Sequence, residues 1–232
     1  MQEKEGILYI IATPIGNLED ISARAVRMLG EVNVVLCEDT RTTGKLLKHY
    51  NIDVKTISYH AHSNDNREDY ILDMLREGKS LALVSDAGTP TISDPGVKLV
   101  ERIKRELPDV MVSPIPGPSA LMSALSVSGI SSAQFVFLGF LPHKKGRETL
   151  FQEILESNRT MVFYESTHRI MKTLERLQEM MPNRHMAVAR ELTKIYEQVK
   201  TGSVADVYQY FIDNPDRVRG EFVVIVAPYN VT

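Results

Sequence analysis

The segment Ser85-Asp86-Ala87-Gly88-Thr89-Pro90-Thr91-Ile92-Ser93-Asp94-Pro95-Gly96 carries hydroxyls, carboxylates and Gly/Pro turns in one stretch, directly after the apolar run Leu81-Ala82-Leu83-Val84. Val97, Val100, Ile103 and Leu107 then recur at helical spacing, so the segment joins a strand end to a helix start, where open α/β sheets bind ligands. It reads as a ligand loop, with Asp94 as the N-cap and Pro95 at the first helical position. Polar, turn-rich stretches also occur at Thr13-Pro14-Ile15-Gly16-Asn17-Leu18, Glu38-Asp39-Thr40-Arg41 and His60-Ala61-His62-Ser63-Asn64. His143-Lys144-Lys145-Gly146-Arg147 has no acid within it and suits an anion, through its charge and through the helix that begins near Gly146. Ser166-Thr167-His168-Arg169, with Glu165 just before it, reads as a helix start capped by Ser166. Ala189-Arg190-Glu191-Leu192-Thr193-Lys194 mixes charges, as an ion-paired loop or a substrate-facing one.

Other chemistries lack their residues. His60 and His62 could be imagined as metal ligands with Asp65, but no third ligand stands at a zinc-site spacing, and no metal is expected. There is no G-x-S-x-G nucleophile elbow, no G-x-G-x-x-G and no P-loop. Cys37 lies in the apolar run Val34-Val35-Leu36-Cys37 and reads as a small buried hydrophobe.

Short apolar runs alternate with helical patterns, the signature of βαβ units and a largely parallel sheet. Strands are expected at Ile7 to Ala12, Val34 to Cys37, Thr56 to Tyr59, Leu81 to Val84 and Val110 to Val112. A second sheet is expected from Phe135 to Leu141, Met161 to Tyr164, Met186 to Ala189, Tyr196 to Lys200 and Phe222 to Ala227. Between the sets, Pro114-Ile115-Pro116-Gly117-Pro118 leads into a helix from Ser119 to Val127 with Gly129 past its end. Two α/β domains are expected, over residues 1–115 and 116–232. In a parallel sheet the carboxyl ends share one edge, so the polar segments of the first half should line one crevice.

The chain of 232 residues has one Cys and no Trp, is 43% hydrophobic and 25% charged, and bears a formal net charge of −3. Those values are those of an ordinary globular protein. A single cysteine rules out an intrachain disulfide and fits a reducing cytoplasm. No run approaches the roughly 18 apolar residues of a membrane span, and no membrane association is expected. The acidic total argues weakly against nucleic acid but says nothing about local patches.

Taken in order, Ala12-Thr13-Pro14-Ile15-Gly16-Asn17-Leu18, Cys37-Glu38-Asp39-Thr40-Arg41, Ser85 to Gly96, Pro116-Gly117-Pro118-Ser119-Ala120, Phe163-Tyr164-Glu165-Ser166 with His168-Arg169, and Ala189-Arg190-Glu191-Leu192-Thr193-Lys194 resemble the tetrapyrrole methylase family. Within it they are similar to the branch that methylates small-subunit ribosomal RNA. The resemblance implies two α/β domains with S-adenosylmethionine in the cleft between them, a homodimer, and methylation of a cytidine ribose 2′-oxygen in the 16S decoding centre. It implies cofactor contacts from Pro14, Ser85, Asp86, Ala87, Gly88, Thr89, Pro90, Ile92, Ser119 and Ala120, and from Glu165, Ala189 and Arg190. A wall of small residues suits this, because backbone N–H and C=O groups can come close to the ligand. For the RNA branch it leaves Arg41, Lys144, Lys145, Arg147, Arg169 and Lys194 to meet phosphates. Candidates to take the proton of the ribose hydroxyl are Glu38, Asp39 and Glu191. Corrin and porphyrin methylases typically have Tyr-Asp after the second strand and Gly-Asp-Pro in the main loop; here Cys37-Glu38-Asp39 and Gly88-Thr89-Pro90 stand there, which disfavours a tetrapyrrole substrate. Methylation of a corrin-like small molecule, and a non-catalytic S-adenosylmethionine-binding RNA module, are the alternatives.

Overall fold

The computed structural model describes residues 6–60 and 65–229, so the stretch from Ala61 to Asn64, with His62, lies outside the described residues. The chain forms two compact units, Met1–Ser119 and Ala120–Thr232.

The first unit holds the parallel strands β1 (Ile7–Ile11), β2 (Val34–Cys37), β3 (Lys55–Ser58), β4 (Ser80–Val84) and β5 (Met111–Ile115), in the order β3-β2-β4-β1-β5. Side chains alternate across a strand, so each face needs its own cover. Leu8, Val34, Leu36, Leu81 and Leu83 pack with Ile71, Leu75, Leu99 and Ile103 of α3 (Asp65–Arg76) and α4 (Val97–Glu106). Ile11, Val35, Cys37, Ala82 and Val84 pack with Ala25, Leu29, Leu46 and Leu47 of α1 (Ala23–Glu31) and α2 (Thr40–His49). Helices on both faces make this sheet doubly wound. Cys37 is fully buried, and burial pushes its thiol pKa up, as expected of a core residue. Pro114, which has no amide to donate, sits in the edge strand β5, where a missing donor is tolerated.

The second unit begins with α5 (Ala120–Val127) and orders its strands β6-β7-β10-β8-β9: β6 (Phe135–Phe140), β7 (Thr160–Ser166), β8 (His185–Arg190), β9 (Gln198–Ser203) and β10 (Glu221–Val226). Only β6 and β7 are parallel; the other neighbours are antiparallel. The expected largely parallel arrangement therefore holds for the first sheet and not for the second. β8 and β9 are joined by the loop 191–197 with no helix, which a parallel crossover would need, and β10 inserts between β7 and β8. α6 (Arg147–Glu156), α7 (Ile170–Met180) and α8 (Val204–Asp213) bury Phe151, Ile154, Ile170, Leu174, Leu177, Val207 and Phe211 against Phe163, Val188, Phe222 and Val224. Full burial of one such side chain is worth about 1.5–3 kcal/mol.

Two helix starts differ from expectation. α4 begins at Val97 with Gly96, not Asp94, as its N-cap, and α7 begins at Ile170 after β7 runs on through Ser166, so Ser166 is no cap. Gly96 has φ +123°, and a Cβ there would lie 2.6 Å from Leu83 Cδ2 and 3.1 Å from Thr91 Cγ2. Gly96→Ala is therefore expected to destabilise the first unit by about 1–3 kcal/mol in denaturant titrations. A variant as stable as the parent would show that the loop relaxes freely.

Candidate active site

In the first unit the loops after β1 and β4 are tied together at the carboxyl edge of the sheet. Thr13 and Gly88 exchange backbone hydrogen bonds of 2.9 and 3.0 Å, and the buried Thr13 hydroxyl donates to the Ser85 carbonyl at 3.0 Å. Gly88 has φ +84°, a conformation glycine adopts without cost. The Thr89 hydroxyl donates to the Pro118 carbonyl at 3.3 Å, which links the loop to the turn before Ser119 and Ala120. Gly117 permits this turn, since a Cβ there would come within 3.1 Å of Ala12 Cβ. Pro14, the residues Ser85 to Pro90 and Ile92 thus share one rim, and Ser119 and the first residue of α5 follow the same turn.

That rim is acidic. Glu38 and Asp39 follow β2, and the Asp39 amide donates to Asp86 Oδ1 at 3.3 Å. Asp39 caps α2, accepts from the Arg41 amide at 2.8 Å, and grips the Arg41 guanidinium at 3.1 and 2.8 Å. The Arg41 side chain and amide hold the Asp39 carboxyl down at about 2. Arg41, expected to meet substrate, is therefore already paired. Burial raises the Glu38 pKa, and the Asp86 charge adds to it against the opposing effect of His60. Asp94 is pushed up to about 6 by burial, with Glu38 and Asp86 adding and the Ser85 hydroxyl pulling the other way. Asp94 was expected only as a cap; its Asp-Pro-Gly context hid a half-buried carboxyl at this rim.

A depressed carboxyl stabilises the fold above its unfolded value and loses that contribution as pH falls through its folded one. Asp39→Ala is expected to lower the melting temperature, with the gap to the parent open above about pH 4 and closing toward about pH 2. Thermal melts across that range check it; a pH-independent gap would leave only the lost cap.

The chemistry of the rim fits S-adenosylmethionine. The amides of Asp86, Ala87 and Thr89 have no hydrogen-bond partner among the described residues and suit the methionyl carboxylate. Glu38, Asp86 and Asp94 offer negative charge to a sulfonium.

In the second unit the candidates part ways. Glu165 is fully enclosed. Its carboxylate accepts from the Ser166 amide at 2.8 Å, Arg169 Nε at 2.7 Å, Thr173 Oγ1 at 2.8 Å and Arg147 Nη2 at 3.4 Å, which leaves it no exposed face for a cofactor. Arg147 and Arg169, from distant segments, are thus brought together by it. Ala189 is buried within β8, and the buried Arg190 side chain donates to the Arg219 and Tyr196 carbonyls at 3.3 and 3.0 Å. Glu191, at φ +49°, lies against Gly220, where a Cβ would approach Glu191 Oε1 within 2.1 Å. Burial raises the Glu191 pKa, but Lys194, at 2.9 Å, outweighs it and the net direction is down. Lys194 also reaches Glu221 at 3.3 Å, so of the expected phosphate ligands Lys144 and Lys145 are the ones left exposed and unpaired among the described residues. Among those residues there is also no cluster of His, Cys, Asp and Glu that could hold a metal, and no helix long and apolar enough to cross a membrane.

A family-wide sequence profile described as Tetrapyrrole (Corrin/Porphyrin) Methylases matches residues 7–208. The chain is 42% identical over 228 residues to the ribosomal RNA small subunit methyltransferase I of Haemophilus influenzae, covering 97% of this chain and 80% of that one. It is 43% identical over 222 residues to the protein of the same name from Thermotoga maritima, covering 96% and 98%. Among solved structures, a cobalt precorrin-4 methyltransferase superposes with a TM-score of 0.67 at 18% identity, covering 95% of this chain and 94% of that one. A doubly wound sheet followed by a mixed one, with a backbone-lined acidic rim, defines a two-unit α/β methyltransferase that uses S-adenosylmethionine. The chain belongs to the tetrapyrrole methylase family.

Proposed function

We propose that this protein methylates small-subunit ribosomal RNA, and that the acceptor is the ribose 2′-oxygen of a cytidine in the decoding centre of 16S RNA. The observation that carries the substrate class is the identity of 42–43% to proteins named as small-subunit rRNA methyltransferases, against 18% to the corrin methyltransferase, a likeness that speaks for the fold alone. Thr89, where corrin methylases typically carry Asp, agrees with it. Bound S-adenosylmethionine supplies an electrophilic methyl group on a sulfonium. The protein's own work is to hold the donor on the rim from Ser85 to Pro90, to orient the ribose hydroxyl, and to accept its proton. Positioning of this kind can supply several kcal/mol of the barrier.

The proton acceptor belongs with Glu38 and Asp94. Asp39 and Glu191 are engaged by Arg41 and Lys194, and a carboxylate stabilised by a cation is a weaker base. Lys144, Lys145, Arg147 and Arg169 serve the RNA backbone. The working form is a cytoplasmic homodimer, supported by exposed Ile92, Val97 and Met111 beside the edge strand β5; sedimentation at micromolar concentration tests it, and a monomer would remove it. Tritiated methyl transfer from S-adenosylmethionine tests the function: label in small subunits, mapped to a 2′-O-methylcytidine, is the expected result. Label in a tetrapyrrole, or none in RNA, would overturn it.

A further inference from the structure

A cavity of about 460 Å³ opens beside α6 and α7 of the second unit. Around the starts of the two helices it is lined by His143, Arg147, His168, Arg169 and Lys172. Glu148, in the first turn of α6, and Glu179 of α7 both pair with Arg176, at 2.7 and 2.9 Å, one cation against two carboxylates, and Glu175 is a third acid of the lining; the positive end is that of Arg147, Arg169 and Lys172. Under the first part lies Glu165. Two guanidiniums, 15% and 16% exposed, share this one carboxylate, and the enclosed cluster keeps a net positive charge. His143, His168 and Lys172 add no acid to it and have no ion-pair partner among the described residues. A surplus guanidinium charge held out of water calls for an anion.

The two arginines are fixed on several sides. Arg147 Nη1 donates to the Pro142 carbonyl at 3.2 Å and Nη2 to the Thr173 hydroxyl at 2.6 Å, while Arg169 Nη1 donates to the Leu141 carbonyl at 2.8 Å. Arg147 Nε and Arg169 Nη2 are left as donors without a partner among the described residues. Neither α6 nor α7 has a side-chain cap, so their first-turn amides add positive potential. Arg147 also covers the Phe151 ring at 5.1 Å, which takes away the aromatic face a nucleobase would stack on.

We infer that this end of the cavity seats a backbone phosphodiester of the RNA substrate, and that Glu165 is a positioning residue that aims Arg147 and Arg169 at it. A fixed guanidinium fork matches phosphate oxygens and reads backbone rather than sequence. The inference rests on the rRNA reading above. Arg169→Gln and Lys172→Gln are tested for small-subunit RNA binding across a salt series, for the KM and kcat of methyl transfer, and for S-adenosylhomocysteine affinity, with Arg27→Gln on α1 as the charge control. Each is expected to weaken RNA binding about tenfold and to flatten the log–log salt slope by about 1. KM for RNA should rise, with kcat and S-adenosylhomocysteine affinity at parental values. Glu165→Gln should show the same KM-only change; where it does not fold, His168→Gln with Lys172→Gln decides. Folded variants with parental affinity and slope would overturn the seat while the parent's methylation of RNA leaves the function standing. A parent that neither binds nor methylates small-subunit RNA would overturn both. Displacement of RNA by inorganic phosphate below about 1 mM would reassign the seat to free phosphate.

Discussion

Asp94→Asn lowers kcat for methyl transfer by about 10²- to 10⁴-fold, the usual worth of a general base, while the protein becomes more stable at neutral pH. Both effects have one cause. Burial, with the Glu38 and Asp86 charges beside it, lifts this carboxyl from an ordinary 3.8 to about 6. A raised folded pKa contributes stability that is complete below the unfolded value and lost as pH rises through the folded one, so at neutral pH the ionised Asp94 is a cost. Asparagine keeps the shape without the charge. The melting-temperature advantage of the variant should be open above about pH 6 and close toward about pH 4. A base with this pKa is deprotonated at neutral pH yet still proton-seeking, so kcat of the parent should rise through about pH 6, and the variant should lack that limb. S-adenosylhomocysteine affinity, read by calorimetry, stays within a few-fold. A kcat within twofold of the parent would transfer the role to Glu38, where Glu38→Gln is the next measurement.

The residues that hid this pair explain how far the sequence could be read. Among the described residues the strands were legible as short runs between turns, most of them apolar and β9 a polar one, and the rim from Ser85 to Pro90 followed from its place after β4. Strand direction in the second sheet was not. β10 is buried on both faces, and a strand of that kind looks the same whether its neighbours run with it or against it. Asp94 looked like a cap because Asp-Pro-Gly usually opens a helix; the positive φ of Gly96 delays α4 past it. Glu191 and Lys194 stood in a segment that could equally be ion-paired or substrate-facing, and only the geometry of their 2.9 Å contact decides for pairing. Glu165 was visible as a strand tip. Its partners, Arg147 and Arg169, lie 18 residues before and 4 after it, and only the packing of α6 and α7 against β7 brings both to one carboxylate.

That carboxylate is where the largest stability effect is expected. Glu165→Ala should destabilise the second unit by about 3–5 kcal/mol, the range for removing one partner from a buried ion pair. Its side chain is fully enclosed, and four donors converge on it: two guanidiniums, the Thr173 hydroxyl and the Ser166 amide. Removing it leaves two guanidiniums facing each other, each only about one-sixth exposed, with the Leu141 and Pro142 carbonyls as their remaining acceptors together with the Thr173 hydroxyl. Repulsion then adds to lost hydrogen bonds. Thr173→Val separates these contributions, because it deletes one donor and one acceptor but leaves the charges unchanged; it should cost about 1–2 kcal/mol. The triple replacement of Glu165, Arg147 and Arg169 by Leu should recover much of the loss, since an apolar cluster of similar bulk removes every unpaired charge at once. Urea titrations of the three proteins read this directly. If Glu165→Ala costs no more than Thr173→Val, the arginines find solvent without help and the cluster has no stored electrostatic demand. If the triple variant is as unstable as Glu165→Ala, the loss lies in packing rather than in charge.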